Sequence, residues 1–443
     1  MSKIYDLPLT YRILRSSVLR AFRFYYGEII VTGIENIPTN GGYILAPNHR
    51  NALMDALVAA YITPKNISTS FLARSDIFKN KNVAKFLRFV KIMPAFRMRD
   101  GFDNLGKNNE VFDECTELLE ANHTLCIMPE GNQEIEHNVR PLVKGIFRVA
   151  FSAQQQNNSK NPIQIVPVGI DYGDIYNFGK HLIINIGKPI NVLDYSQSYS
   201  ENPPKATNEI KDELKKRLEK LILHIDSTNN YDTILSTVDF CQLNLLKAKN
   251  LEPSTFVKYQ TRKQVADKLC EEEKTNPEIL EKLKKITSEY KHQLEKYRIK
   301  DRNVTDKRLI KPILLKIILL ITTFPFFSVG LLTNLFAFFV PVWIRKMLNV
   351  EFEGFFSSIQ FVIGILTFPL FYTLQIVLIC NLLSISFYYF PLFIFLFLIL
   401  GNVAFKWYKV FKSTIASIRY LLLSENERNK LIKLQNEILS LAK

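Results

Sequence analysis

The chain has 443 residues, 47% of them hydrophobic, and carries 57 Lys and Arg against 42 Asp and Glu, a formal net charge of +15. That length accommodates two or three domains, and the positive excess favours an anionic partner, a bilayer surface or a nucleic acid. Cys115, Cys126, Cys241, Cys270 and Cys380 are scattered, with no Cys-x-x-Cys pair; this gives no disulfide framework and no zinc pattern, and it fits a reducing, cytosolic setting for the soluble part.

The opening stretch MSKIYDLPLTYRILRSS lacks the apolar core and small-residue cleavage site of a secretory signal, so the soluble part is not expected to be exported. Residues 8–25 place Arg12, Arg15, Arg20 and Arg23 within one helical arc, opposite Leu14, Val18, Ala21 and Phe22. Residues 1–27 therefore read either as a basic amphipathic helix suited to a membrane surface or as a helix packed on its own domain.

From Gly27 to Gly187 short apolar strands alternate with helical stretches. Strands are expected at 29–32, 43–46, 68–73, 125–128, 163–169 and 182–186, with helices at about 52–62, 80–90, 105–121 and 143–156 among them. Strands separated by helices specify an α/β layer structure, taken as a domain over 28–199, and sites in such sheets gather at strand ends and the helix starts that follow. Residues 200–308 are rich in helix formers with apolar positions three or four apart, a helical region whose isolated His224 and His292 carry no chemistry.

Beyond Leu309 the chain becomes apolar. The block 317–344 has no charge but is interrupted by Pro325, Gly330 and Asn334, and the block 361–405 has no charge over 45 positions. A bilayer span needs about 20 apolar residues, so the second block fits two. Lys296, Arg298, Lys300, Arg302, Lys307, Arg308 and Lys311 crowd the entry, and Lys406, Lys409, Lys412 and Arg419 the exit. The positive-inside bias puts both flanks on the cytoplasmic side, which requires an even number of spans. Each block folding as a hairpin satisfies this, as does a re-entrant first block. Residues 309–405 are thus the transmembrane region and 406–443 a basic cytoplasmic tail. Aromatics concentrate in the membrane blocks and not beside basic clusters, which disfavours nucleic acid and leaves the bilayer as the anionic partner.

Four stretches in the α/β region carry the chemistry: Asn48-His49 with Asp55; Ile92-Met-Pro-Ala-Phe-Arg97; Ile127-Met-Pro-Glu-Gly-Asn132; and Val166-Pro-Val168. They offer the parts of an acyl transfer to an alcohol. A hydroxyl attacking a thioester needs a base to take its proton, histidine suits that task near neutral pH, and a carboxylate behind it fixes the tautomer and stabilises the imidazolium. The nucleophile is then the substrate's own hydroxyl. Arg97 offers a planar fork for a phosphate, Gly131 lets backbone approach an anion, and Arg140, Lys144 and Arg148 add positive charge at a helix start.

Order and spacing together resemble the glycerolipid acyltransferase superfamily, the glycerol-3-phosphate and lysophosphatidic acid acyltransferases, over about residues 28–195. The resemblance implies an acyltransferase-type sheet flanked by helices, an α/β fold here followed by the helical arm and C-terminal transmembrane helices. It makes His49 the general base and Asp55 its orienting partner, with Asn48 in the same block. Arg97 would hold the acceptor's phosphate, Glu130 and Gly131 would shape that pocket, and Val166-Pro167-Val168 would line the acyl-donor side. The donor in this family is acyl-CoA or acyl carrier protein, the acceptor a phosphate-bearing glycerol, and no metal or other cofactor is needed.

Two departures stand out. The family's first block has four residues between His and Asp; here five intervene, residues 50–54. Six steps on a regular helix set His49 and Asp55 about 240° apart, so His49 must lie in the loop before the helix and turn back over its first turn. In the third block Met128 replaces Phe and Asn132-Gln133-Glu134 replaces a Thr-Arg-Ser ending, leaving Arg140 or Lys144 as candidates for the missing polar contacts. His123 and His137 nearby read as exposed loop residues. Two readings stay open: a membrane-bound acyltransferase using glycerol-3-phosphate or 1-acylglycerol-3-phosphate, catalytic domain on the cytoplasmic side, and a non-catalytic lipid-binding membrane protein that retains the fold. A hydrolase lacks its Gly-x-Ser-x-Gly elbow.

Overall fold

The computed structural model describes residues 3–96, 106–156, 162–248, 252, 254–305 and 310–442. They form two compact units, one of residues 1–224 with 350–358 and the other of residues 225–349 with 359–443.

The first unit is built on a mixed sheet of eight strands: β1 (Glu28–Thr32), β2 (Tyr43–Pro47), β3 (Thr69–Arg74), β4 (Ile92–Ala95), β5 (Thr124–Cys126), β6 (Gln164–Tyr172), β7 (His181–Ile186) and β8 (Ile190–Asn191). Their order is β1-β7-β6-β2-β5-β3-β4, with β8 beside β6. β2 runs parallel to β5 and β6, while β6 and β7 are antiparallel. β2 is buried at all five positions, as continuous apolar runs are when helices cover both faces of a sheet. Those helices are α1 (Leu9–Tyr25), α2 (Ala52–Ile62), α3 (Lys81–Phe89), α4 (Lys107–Glu120), α5 (Gly145–Gln156), α6 (Ser196–Glu201) and α7 (Pro203–Leu221). Ile44, Leu125 and Ile165 of the sheet pack with Leu118, Phe147 and Phe151 of the helices. α7, read from the sequence with the helical region, sets Ala206, Ile210, Leu214 and Leu218 at four-residue spacing into the same core.

All six expected strands are present, and β4 and β8 are added to them. Pro94 disguises β4 as a turn; it is tolerated because β4 is an edge strand, where a missing N–H costs no ladder bond. In α1 the arginines do not act together. Arg12, Arg20 and Arg23 are exposed, but the Arg15 guanidinium turns inward and donates to the carbonyls of Ala60, Thr63 and Ile67 at 2.9–3.0 Å. It thereby closes the C-terminal end of α2, where carbonyls lack partners and the helix dipole favours a cation.

In the second unit α8 (Tyr231–Ala248), α9 (Thr255–Thr275), α10 (Pro277–Lys296) and α11 (Asp301–Thr305) precede three long apolar helices: α12 (Ile310–Met347), α13 (Phe356–Leu382) and α14 (Phe390–Leu421). Each of the three is long and apolar enough to cross a membrane. α15 (Glu425–Ala442) follows. The first apolar block, open from the sequence between one long span and a broken hairpin, is one continuous helix, α12, that carries Pro325 and Pro341 inside it. Proline removes an N–H and frees the carbonyl four residues back. Opposite Pro341 that carbonyl is Ala337 O, and the Thr367 hydroxyl of α13 donates to it at 3.1 Å, the internal satisfaction a bilayer demands. Asn334 tightens the group further, accepting from Tyr372 Oη and donating to Phe397 O.

Candidate active site

β2 delivers the first motif to the carboxyl end of the sheet. Asn48 is buried, and its side chain extends the β2–β6 pairing: Oδ1 accepts from Ile170 N at 2.7 Å and Nδ2 donates to Ile170 O at 3.2 Å. This fixes the backbone one residue before His49. The His49 N–H then donates to Glu130 Oε1 at 3.1 Å, and its carbonyl accepts from Glu134 N at 3.2 Å.

His49 Nδ1 meets Asp55 Oδ2 at 2.8 Å; the imidazole is 19% exposed and the carboxylate not at all. A carboxylate so buried needs its lone pairs filled. Oδ2 also accepts the backbone N–H groups of Arg50 and Asn51, at 2.8 and 2.7 Å, and Oδ1 accepts the Tyr172 hydroxyl at 2.5 Å. Burial, and then the charge of Asp55, holds the Tyr172 hydroxyl well above its ordinary pKa, so it stays a donor. With Nδ1–H directed at Asp55, Nε2 is the ring nitrogen that carries the lone pair. The geometry is that of a base with an orienting acid.

The extra residue of the first block is absorbed ahead of α2. Asn51 is the residue before the helix, at φ −139° and ψ 50°, and Ala52 takes a positive φ of 38°, a conformation that a β-carbon disfavours by about 1–2 kcal/mol. The Ala52 N–H donates to Gln133 Oε1 at 2.9 Å. The two departures from the family pattern therefore meet: the residue that replaces the arginine of the third block satisfies the amide displaced by the insertion in the first.

Glu130 is buried, and burial pushes its pKa up to about 7 against the opposing hydrogen bonds from His49 N and Arg140 N. Gly131 follows at φ +70°, where a side chain would be strained and a Cβ would sit 3.1 Å from Val143 Cγ1. Arg140 pairs with Glu134 at 3.4 Å. Lys144 is exposed just ahead of α5, Val166 and Val168 are buried strand positions in β6, and Arg97 lies outside the described residues. Direct contacts thus join His49, Asp55, Glu130 and Arg140, while Asn48 is held to β6 one residue before His49.

The expectation for His137 is corrected. It is buried, with Nδ1 3.1 Å from Arg50 Nη1 and 3.6 Å from Asp171 Oδ2, while Arg50 Nε also donates to Ile135 O. A guanidinium within the motif loop drew the histidine in, and nothing in its own neighbourhood signals that. His123 is half-buried, stacked on Tyr5, and accepts the Ser68 N–H. Tyr172 was also hidden from sequence reasoning, being one of many aromatics at strand ends. Among the described residues no cluster of three His, Cys, Asp or Glu is placed to hold a metal ion.

Comparison with known proteins locates this site in a known domain. Residues 28–171 match the family model described as Acyltransferase. Over 202 residues, 45% of this chain, the sequence is 23% identical to glycerol-3-phosphate O-acyltransferase 1 of Saccharomyces cerevisiae, and the chain spans only 26% of that protein's length. It is 24% identical over 208 residues to the 1-acyl-sn-glycerol-3-phosphate acyltransferase of Bacillus subtilis, covering 46% of this chain and 94% of that protein. The crystal structure of the 1-acyl-sn-glycerophosphate acyltransferase PlsC from Thermotoga maritima aligns with 48% of this chain and 79% of its own at 20% identity, with a TM-score of 0.34.

Proposed function

We propose, from the match of residues 28–171 to the Acyltransferase family model and the likeness to glycerolipid acyltransferases, that the protein transfers a fatty acyl group from an acyl thioester to a hydroxyl of glycerol-3-phosphate or 1-acylglycerol-3-phosphate. The observation that carries the reading is the 2.8 Å contact of His49 Nδ1 with a fully buried Asp55. His49 Nε2 takes the acceptor's proton as its oxygen attacks the thioester carbonyl. The tetrahedral adduct collapses with cleavage of the C–S bond, and the imidazolium returns the proton to the departing thiolate. Asp55 holds the ring and stabilises its charge. Arg97, Arg140 and Lys144 supply cations for the acceptor's phosphate, with Glu130 and Gly131 shaping the turn beside it. Acyl-CoA or acyl carrier protein is the donor, and the basic residues flanking the apolar helices favour the cytoplasmic side for the domain.

The altered spacing that favoured a non-catalytic lipid-binding protein is compensated by Gln133 and leaves the His49–Asp55 contact intact, which supports the enzyme. The test is acyl transfer by membranes carrying the wild type or His49→Ala, with labelled acyl-CoA, then acyl carrier protein, and both acceptors. Loss of a general base lowers the rate by about 10²–10⁴. Equal rates in the two proteins remove His49 from the mechanism; silence of the wild type with both donors and both acceptors favours lipid binding.

A further inference from the structure

The loop between His49 and Asp55 has no regular structure of its own before α2, so its placement depends on side chains that reach it from elsewhere. Glu130 holds His49 N, Gln133 holds Ala52 N, and Asn51 lies between them, completely buried. Asn51 donates its N–H to Asp55 Oδ2 at 2.7 Å, and its carbonyl accepts from Met54 N at 2.8 Å. Its side-chain oxygen faces neither water nor the sheet. It accepts a hydrogen bond of 2.7 Å from the Ser357 hydroxyl, 306 positions away, and the Ser358 hydroxyl stands 3.4 Å from the Asn51 carbonyl.

Both serines are buried, and both lie in the first turn of α13, within the segment 350–358 that leads out of α12 and folds with residues 1–224. Two further ties seat this segment. At Gly354 a Cβ would stand 2.3 Å from Phe352 Cε1 and 3.0 Å from the Arg50 carbonyl oxygen, so the segment passes close to Arg50 with no room for a side chain. The Tyr176 ring lies against that of Phe356, their centroids 6.3 Å apart.

We infer that Ser357 is a positioning residue for the His49–Asp55 pair: through Asn51 it fixes the loop whose amides hold Asp55, making the first turn of α13 part of the acyl-transfer site. This rests on the function proposed above. It follows that residues 1–224 do not complete the site alone, since one of the supports of the motif loop is supplied by residues 350–358 of the same unit. A buried acceptor left without its donor is costly, and the loop can relieve that cost only by moving, which carries the two amides away from Asp55.

The experiment uses the full-length protein in detergent with Ser357→Ala, Ser357→Thr and Gly354→Ala. Two readouts are taken: kcat and KM for acyl transfer, and amide hydrogen exchange of peptides covering residues 48–56 and β6. Ser357→Ala is expected to lower kcat about tenfold with KM within about twofold, and to raise exchange in 48–56 alone. Ser357→Thr keeps the hydroxyl and should retain the wild-type rate, while Gly354→Ala, whose Cβ would clash with Phe352 and crowd the Arg50 carbonyl, should displace the segment and behave like Ser357→Ala. Wild-type kcat and exchange in Ser357→Ala overturn the inference. So does a loss shared equally by Ser357→Ala and Ser357→Thr with faster exchange throughout the sheet, since that reports general unfolding. If His49→Ala shows that the proposed reaction is wrong, the exchange readout still decides: a local rise in 48–56 supports the positioning role, and no change refutes it.

Discussion

Replacing Glu130 with glutamine tests whether this carboxyl is as dry as its position between His49 N and Arg140 N implies. Its pKa rises from 4.5 to about 7, chiefly through burial. An acid whose pKa is raised on folding keeps its proton in the native chain after the unfolded chain has released it. Below about pH 4.5 both states are protonated and the group contributes nothing. Between 4.5 and 7 the native state becomes less stable as pH rises, and above 7 the penalty is complete. At about 1.4 kcal/mol per pH unit the full span is roughly 3 kcal/mol. Glutamine cannot ionise, keeps one acceptor and loses the other at a cost of about 1 kcal/mol that does not vary with pH. The stability difference between Glu130→Gln and wild type should therefore shift by roughly 3 kcal/mol in favour of the variant between pH 4.5 and 8. Thermal unfolding in detergent across that range reads it, at about 2–4 °C per kcal/mol for a unit of this size. Parallel curves with a constant offset would refute the argument and mean that water reaches the carboxyl.

Tyr172→Phe removes the donor to Asp55 Oδ1 at a fully buried position; kcat should fall about tenfold with KM retained, and an unchanged kcat would show that the hydroxyl does not orient the acid. Gln133→Ala strands the Ala52 amide beside its positive φ and should destabilise the first unit by about 1–2 kcal/mol. Adding Ala52→Gly should recover part of that loss, because glycine adopts this backbone freely; melting curves of the single and double variants make the comparison, and no recovery would mean the strain is held elsewhere.

The apolar strands and the helices between them were legible because β2, β5 and β6 are buried runs bounded by turns, and local pattern suffices for those. β4 was not, because proline reads as a breaker unless one knows the strand lies at an edge. The same rule left α12 open between a long helix and a broken hairpin; within it the carbonyl freed by Pro341 is met by Thr367. His49, Asp55 and Glu130 were legible from motif order, as was the need for His49 to lie ahead of the helix. How the inserted residue is accommodated was not, since Gln133 looked like a loss in one block until it was seen to compensate a change in another. Arg15 and His137 followed polarity rules for surface residues, but each is drawn inward by one partner remote in sequence. Ser357 lies among apolar residues with no motif around it, and its role depends wholly on tertiary placement.

The seating of residues 350–358 also constrains the path of the chain through the bilayer. Among the described residues no helix before α12 is long and apolar enough to cross a membrane. The end of α12 runs into 350–358, which fold with residues 1–224. Cysteines introduced at Thr305 and Asn349 read whether α12 crosses: labelling from opposite sides marks a crossing, labelling from one side none. The 38 residues of α12, about 57 Å at 1.5 Å each, are nearly twice the hydrocarbon thickness of about 30 Å, a length that one crossing does not require. α12, α13 and α14 are each long and apolar enough to cross, so the number of crossings turns on α12.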